Sequence, residues 1–181
     1  MSGGAGGGQG GRSALPDDKS VAVVLVSYNS AGVIREAITS VDEDCEVIVV
    51  DNASEDDLER VLCGTGVRII RNAANLGFGT ACNIGAQAVA AAFLLFLNPD
   101  ARLEPGALAK LLARAEADPR LGALNPRIID GNGNVWQRRH SRLLDKSAND
   151  RVKRTLTQDC DIEMLSGAAL FCRTDAFEQI G

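Results

Sequence analysis

The chain of 181 residues has one histidine, one tryptophan and one tyrosine, and its five cysteines include no CxxC pair. A lone histidine, His140, excludes a multi-histidine metal centre. Cys45, Cys63, Cys82, Cys160 and Cys172 are odd in number and scattered. That pattern argues against a disulfide framework and a structural zinc site, and for reduced, mostly buried thiols. Positive charge is not in excess either: 19 basic against 24 acidic residues give a net charge of -5. A nucleic-acid partner held by bulk positive charge is therefore not expected. Long hydrophobic runs are also missing. The most apolar stretch, Ala88 to Leu97, has ten residues, about half of what a membrane-spanning helix needs, and the N-terminus lacks the basic-then-apolar start of a signal peptide.

What is present fits one domain. Hydrophobic residues make up 45% of the chain, and a compact chain of this size buries about 70% of its unfolded surface. The first eleven residues include seven glycines. With almost no side chain to bury and maximal backbone entropy to lose, residues 1–19 are expected to form a disordered tail, followed by a domain over 20–181.

From Val21 the pattern alternates. The apolar run Val21–Val26 predicts a strand covered on both faces. Val33, Ile34, Ala37, Ile38 and Val41 follow at helical spacing. Val47–Val50 predicts a second strand, Glu55–Cys63 a helix, and Val67–Ile70 a third strand. Asn75-Leu76-Gly77-Phe78-Gly79 leads into a helix over Thr80–Ala91, followed by a fourth strand at Phe93–Leu97 and a helix over Pro105–Ala117. Leu121–Leu124 predicts a further strand, Asp130–Asn134 a turn or hairpin, Leu143–Asp159 a surface loop or lid, Met164–Cys172 a strand, and Thr174–Gly181 a short helix. Alternation of this kind predicts a three-layer α/β/α fold on a mostly parallel sheet. In such sheets ligands bind at the carboxyl ends of the strands. Ser27-Tyr28-Asn29, Asp51-Asn52 and Asn98-Pro99-Asp100 all fall there.

Each cluster has two readings. Asp100, ending a buried strand, suits a divalent cation bridging a diphosphate, although Asn-Pro-Asp is also good turn chemistry. Asp51 can accept from a base N–H or a ribose hydroxyl, and Asn52 can donate and accept; the alternative is a helix cap, with Ser54 a competing cap residue. Tyr28 can pack on a nucleobase beside Ser27 and Asn29, or the three can form a plain strand-to-helix turn. The 75–79 segment matches neither GxxxxGK[ST] nor GxGxxG, so it is as well read as a loop-to-helix turn as a phosphate loop. His140 reads first as an exposed loop residue. Trp136 reads as packing, with sugar stacking the alternative.

Taken together, the segments Val26–Asn29, Val49–Asp56, Asn75–Gly79 with Asn83 and Gly85, Leu95–Ala101, and Leu165–Leu170 with Arg173, Ala176 and Phe177 resemble the inverting family 2 nucleotide-sugar glycosyltransferases of the GT-A fold. The Asn-Pro-Asp variant resembles the bacterial rhamnosyltransferase branch in particular. The resemblance covers about Val21 to Gly181. It implies that Ser27, Tyr28, Asn29 and Asp51 hold the nucleoside, that Asn75, Gly77, Phe78 and Asn83 shape the donor pocket, and that Asp100 holds Mg2+ or Mn2+ on the diphosphate. Ser166, Gly167 and Ala168 are implied to face the sugar and acceptor. The implied donor is dTDP-rhamnose or a UDP-sugar, and the implied acceptor a glycan or lipid-linked hydroxyl in cell-wall or polysaccharide assembly. A cytoplasmic location follows, with peripheral association at the inner face of the plasma membrane.

An inverting displacement needs a general base. The family's acidic base motif is expected beyond Gly181, and Glu163, Asp175 and Glu178 do not match it, so no base is assigned. The domain is accordingly expected to be incomplete at its C-terminus. The alternative is a non-catalytic nucleotide-sugar-binding fragment. A nucleotidyltransferase would need a glycine- and lysine-rich loop near the first strand, which is absent.

Overall fold

The computed structural model describes residues 21–136, 145–152, 161–162 and 164–180. In chain order the elements are β1 (Val21–Ser27), α1 (Ile34–Thr39), β2 (Glu46–Asp51), α2 (Leu58–Leu62), β3 (Arg68–Arg71), α3 (Phe78–Gln87), β4 (Phe93–Leu97), α4 (Ala107–Ala117), β5 (Ala123–Leu124), β6 (Ile128–Ile129), β7 (Val135–Trp136), α5 (Lys146–Val152), β8 (Ala169–Arg173) and α6 (Thr174–Ile180). Six strands form one sheet in the order β3-β2-β1-β4-β8-β5. The first four pair in parallel, β8 runs antiparallel to β4, and β5 antiparallel to β8. β6 and β7 pair as a separate hairpin that brackets the predicted Asp130–Asn134 turn.

Strand alternation sorts the core into two layers. Val21, Val23 and Leu25 of β1, with Val49, Phe93, Leu95 and Leu97, pack against Ile34, Ala37 and Ile38 of α1, Leu58 and Leu62 of α2, and Leu108 and Leu111 of α4. Ala22, Val24 and Val26, with Ile48, Val50, Leu94 and Phe96, meet Ala81 and Cys82 of α3 on the opposite face. The expected α/β/α sandwich with a mostly parallel sheet is what forms. No helix among the described residues is long and apolar enough to cross a membrane.

Three expectations need correction. The helix after the Asp51 cluster starts at Leu58 rather than Glu55, because the preceding polar residues bond to another loop. The last strand starts at Ala169 rather than Met164, since Ser166 is held by Asn125 instead of a strand neighbour. Within the stretch read as a loop, Lys146–Val152 is helical; residues 143–144 and 153–159 of that stretch, His140 and the side chain of Trp136 lie outside the described residues.

Helix α4 has no side-chain cap of its own. The loop before β2 supplies carboxylates instead: Asp42 Oδ2 accepts from Gly106 N at 3.0 Å and Glu43 Oε1 from Ala109 N at 3.0 Å, satisfying donors that a helix start leaves open. At its other end, Arg173 Nη2 donates to Ala115 O at 2.7 Å and Nε to Leu121 O at 3.1 Å, while the guanidinium lies 5.1 Å from the Phe93 ring centre. Arg173→Ala should lower unfolding free energy by about 2 kcal/mol, in line with charge-assisted hydrogen bonds lost together. Arg173→Lys should recover little of it, since an ammonium lacks the planar fork; urea denaturation of the three proteins measures both.

The four cysteines described are all free thiols; Cys82 and Cys172 are buried, Cys45 is half-buried, and Cys63 is the exposed exception among them. Burial pushes the Cys82 and Cys172 thiols up to about 12 and Cys45 to about 11. Because the thiolate is the nucleophile, iodoacetamide at pH 8 should label Cys63 in the folded chain and spare Cys82 and Cys172 until denaturant is added, as peptide mass mapping would show.

Candidate functional site

Strand order reverses about β1: β2 and β3 lie to one side, β4 to the other. This is the switch point at which open α/β sheets leave a crevice. A cleft of about 430 Å3 opens there, lined by Val26, Tyr28, Asn29, Ser30, Val33, Asn52, Asn75, Phe78, Asn98, Pro99 and Asp100. Five of the sequence-predicted residues, Tyr28, Asn29, Asn75, Phe78 and Asp100, are thus brought together from three separate segments. Tyr28 is 52% and Phe78 48% exposed, an unusual placement for large rings unless a partner covers them.

Two polar loops forming one rim are laced to each other. Ser54 Oγ accepts from Asn29 N at 2.9 Å, Asn29 Oδ1 accepts from Glu55 N at 2.8 Å, and Asp56 Oδ2 accepts from Ala31 N at 2.7 Å. Both loops carry a left-handed residue, Asn29 with φ 52° and Ala53 with φ 66°. Asparagine tolerates that region, whereas alanine is strained there by roughly 1–2 kcal/mol. The turn at Ala53 is held by Asp51, whose Oδ1 accepts from Ser54 N at 3.0 Å.

Ser27 and Asp51 stand apart from the cleft lining. They are register partners at the ends of β1 and β2, so both side chains face the α1/α2 layer, opposite to Val26. Asp51 is fully buried; its Oδ2 accepts from Arg71 Nε at 2.8 Å, and Arg71 also reaches Glu59 at 3.5 Å. Its carboxylate caps no helix, because α2 begins later with Asp57 at its cap. Ser27 Oγ is buried without a hydrogen-bond partner among the described residues.

On the second rim lies Asn52, which the sequence places at the ligand edge beside Asp51 but to which the family resemblance assigns no role. It is only 2% exposed and all four of its amide contacts go to the 72–77 loop. Its Oδ1 accepts from Asn72 Nδ2 and Leu76 N, both at 3.0 Å; its Nδ2 donates to Asn75 Oδ1 at 2.7 Å and to Gly77 O at 3.4 Å. The signal was available in the density of asparagines at 72 and 75, but those partners are loop residues with no periodicity to reveal them. Gly77, with φ 83° at the start of α3, takes a conformation that a side chain would resist. Asn83 lies on α3 outside the lining.

The 166–168 segment lies next to two residues of the lining, Asn98 and Phe78. Asn98 N donates to Ala168 O at 2.9 Å, and a Cβ on Gly167 would lie 3.6 Å from Phe78 Cε1. Asn125 fixes this turn, accepting from Ser166 N at 2.6 Å and donating to Ser166 O at 2.9 Å and to Ala169 O. Ser166, Gly167 and Ala168 are not part of the cleft lining; Ala168 bonds the Asn98 backbone and Gly167 lies beside the Phe78 ring.

Among the described residues the cleft lining holds one carboxylate, Asp100, and no lysine or arginine. No group of three or more His, Cys, Asp or Glu side chains is placed to hold a metal. A cation requiring four protein ligands does not fit. Mg2+ or Mn2+ does, because such hard cations take one or two carboxylates and complete their shell with phosphate oxygens and water.

The family model for "Glycosyl transferase family 2" matches residues 22–181. The chain belongs to this family. Glycosyl transferase family 2 relatives include the N-acetylglucosaminyl-diphospho-decaprenol L-rhamnosyltransferase of Mycobacterium tuberculosis, 28% identical over 193 aligned positions that cover 88% of this chain and 63% of the relative. The first curated relatives matched are covered over 41% to 63% of their length. Among solved structures, the Pyrobaculum calidifontis mannosyltransferase PcManGT in complex with GDP-Man and Mn2+ superposes with a TM-score of 0.67 at 18% identity, covering 89% of this chain and 46% of that one. Staphylococcus aureus TarS 1–349 in complex with UDP-GlcNAc gives 0.66 at 20% identity, covering 89% and 47%. At such identities these two likenesses bear on the fold, which is GT-A.

Proposed function

We propose that this chain is the donor-binding part of a glycosyltransferase that moves a sugar from a nucleotide diphosphate to a hydroxyl, with inversion at the anomeric carbon. The observation that carries the reading is the cleft at the switch point, where two exposed rings and one carboxylate share a lining that has no positive side chain among the described residues. A nucleoside suits the Tyr28 and Asn29 end, the tyrosine ring lying against the base. Ser27 and Asp51 support that end from beneath, Asp51 acting through Ser54 on Asn29. Asp100 holds Mg2+ or Mn2+, which when bound neutralises charge on the diphosphate. Asn75, Gly77, Phe78 and Asn83 shape the donor pocket, and Ser166, Gly167 and Ala168 face the sugar and acceptor.

The donor we favour is dTDP-rhamnose, with a UDP-sugar as the competing choice. The acceptor would be a glycan or a lipid-linked hydroxyl in cell-wall or polysaccharide assembly, met on the cytoplasmic face of the membrane. The likeness to the mycobacterial rhamnosyltransferase supports this choice. Because the one carboxylate in the described lining serves the cation, no described residue is assigned to deprotonate the acceptor. Incubation with dTDP-rhamnose, UDP-GlcNAc and GDP-mannose in the presence of Mn2+ tests the reading. Release of dTDP in preference to UDP and GDP is expected; release of none, together with failure of all three to bind, would count against it.

A further inference from the structure

We infer that Asn75 presents its amide N–H groups, and not its carbonyl, to the cleft, that they meet a phosphoryl oxygen of the bound nucleotide, and that the buried Asn52 is the positioning residue that enforces this orientation. The inference rests on the nucleotide-sugar reading above.

Two backbone groups decide which end of each amide is which. Leu76 N–H can only donate and Gly77 C=O can only accept, and they lie at opposite ends of the Asn52 amide. Asn52 therefore turns its Oδ1 to Leu76 and its Nδ2 to Gly77. Its Nδ2 also meets Asn75 at 2.7 Å, so the atom of Asn75 found there must be an acceptor. Gly77 N–H donates to that same Asn75 Oδ1 at 3.0 Å. Two donors converging on one oxygen fix the Asn75 amide without recourse to its own appearance, which would leave nitrogen and oxygen interchangeable. Its Nδ2 has no protein partner among the described residues, and the side chain is exposed and lines the cleft. With no lysine or arginine among the described residues of that lining, such an amide is one of few described donors facing an anionic diphosphate.

Two substitutions separate this from a merely structural role. Asn75→Asp keeps an acceptor for Asn52 and Gly77 but turns a carboxylate oxygen toward the cleft in place of the donor. Asn52→Asp keeps the acceptor for Asn72 and Leu76 but sets a carboxylate oxygen against Asn75 Oδ1; reversing the Asn75 amide turns that repulsion into a charge-assisted hydrogen bond, which outweighs the bond given up from Gly77 N. Titrations use UDP and uridine at saturating Mg2+, with the amide nitrogens of Asn75 followed by NMR. Asn75→Asp should weaken UDP by about tenfold or more and uridine less than twofold. Asn52→Asp should weaken UDP similarly, and the Asn75 side-chain amide resonances, shifted by UDP in the parent chain, should no longer respond. Unchanged UDP affinity in Asn75→Asp, an equal loss for uridine, or an Asn75 amide that still responds in Asn52→Asp would overturn the inference alone. A parent chain that binds no UDP, dTDP or GDP would overturn the donor-site reading and the inference with it.

Discussion

Asp100→Ala is expected to remove the metal dependence of nucleotide binding while leaving the fold in place. The carboxylate is exposed at the cleft, so its loss opens no cavity and strands no buried partner. It is also the single carboxylate of the described lining, so no neighbour can take its place. Outer-shell residues around metals cost 10–100-fold when changed; loss of the one described carboxylate proposed to hold the cation should cost about 100-fold or more in nucleoside diphosphate affinity measured with Mn2+. Affinity measured in EDTA should match the parent. Asp100→Glu, with the same charge on a longer stem, should recover part of the loss. Calorimetry with Mn2+ and with EDTA reads all three, and Asp100→Ala retaining the parent's Mn2+ response would contradict the assignment.

Gly85→Ala should be the most destabilising glycine-to-alanine change among the described residues. A Cβ at this α3 position would lie 2.3 Å from Val24 Cγ1 and 3.1 Å from Val50 Cγ2, both on fully packed, buried strands. The helix therefore approaches the sheet to a distance that only glycine permits. Alanine's better helix propensity, worth about 1 kcal/mol, works in the opposite direction. The clash should outweigh it, for a net loss of about 1–3 kcal/mol typical of overpacked cores. Tm would fall by roughly 3–10 °C at this chain length. Adding Val24→Ala removes the methyl group at 2.3 Å, so the double variant should be more stable than additivity of the two single changes allows. Strict additivity would show that the contact is not the cause.

Legibility followed the kind of force involved. β4 was read with its observed bounds, Phe93–Leu97, because five consecutive apolar residues buried on both faces leave no ambiguity. The loop after β2 was harder. Ser54, Glu55 and Asp56 have the composition of a helix start, yet their polar groups serve Asn29 and Ala31, some 25 residues earlier. Local propensity cannot foresee a partner that only tertiary structure delivers. The same limit explains Ser166, whose strand-like neighbourhood is set aside by Asn125, and Asn52, whose partners all lie 20 or more residues further on. For Asp51, the alternation along β2 that reads as a strand already places it opposite the side that Val26 lines. A polar residue at a strand end marks the right edge of the sheet, and only the pleat says on which side of it the side chain lies.

The most direct test is titration of UDP, dTDP and GDP into the chain with Mn2+ and again with EDTA. A cleft whose described lining has one carboxylate and no positive side chain should hold at least one of these diphosphates well with Mn2+ and about 100-fold more weakly without it. Equal affinity under the two conditions, or no binding in either, would contradict the account.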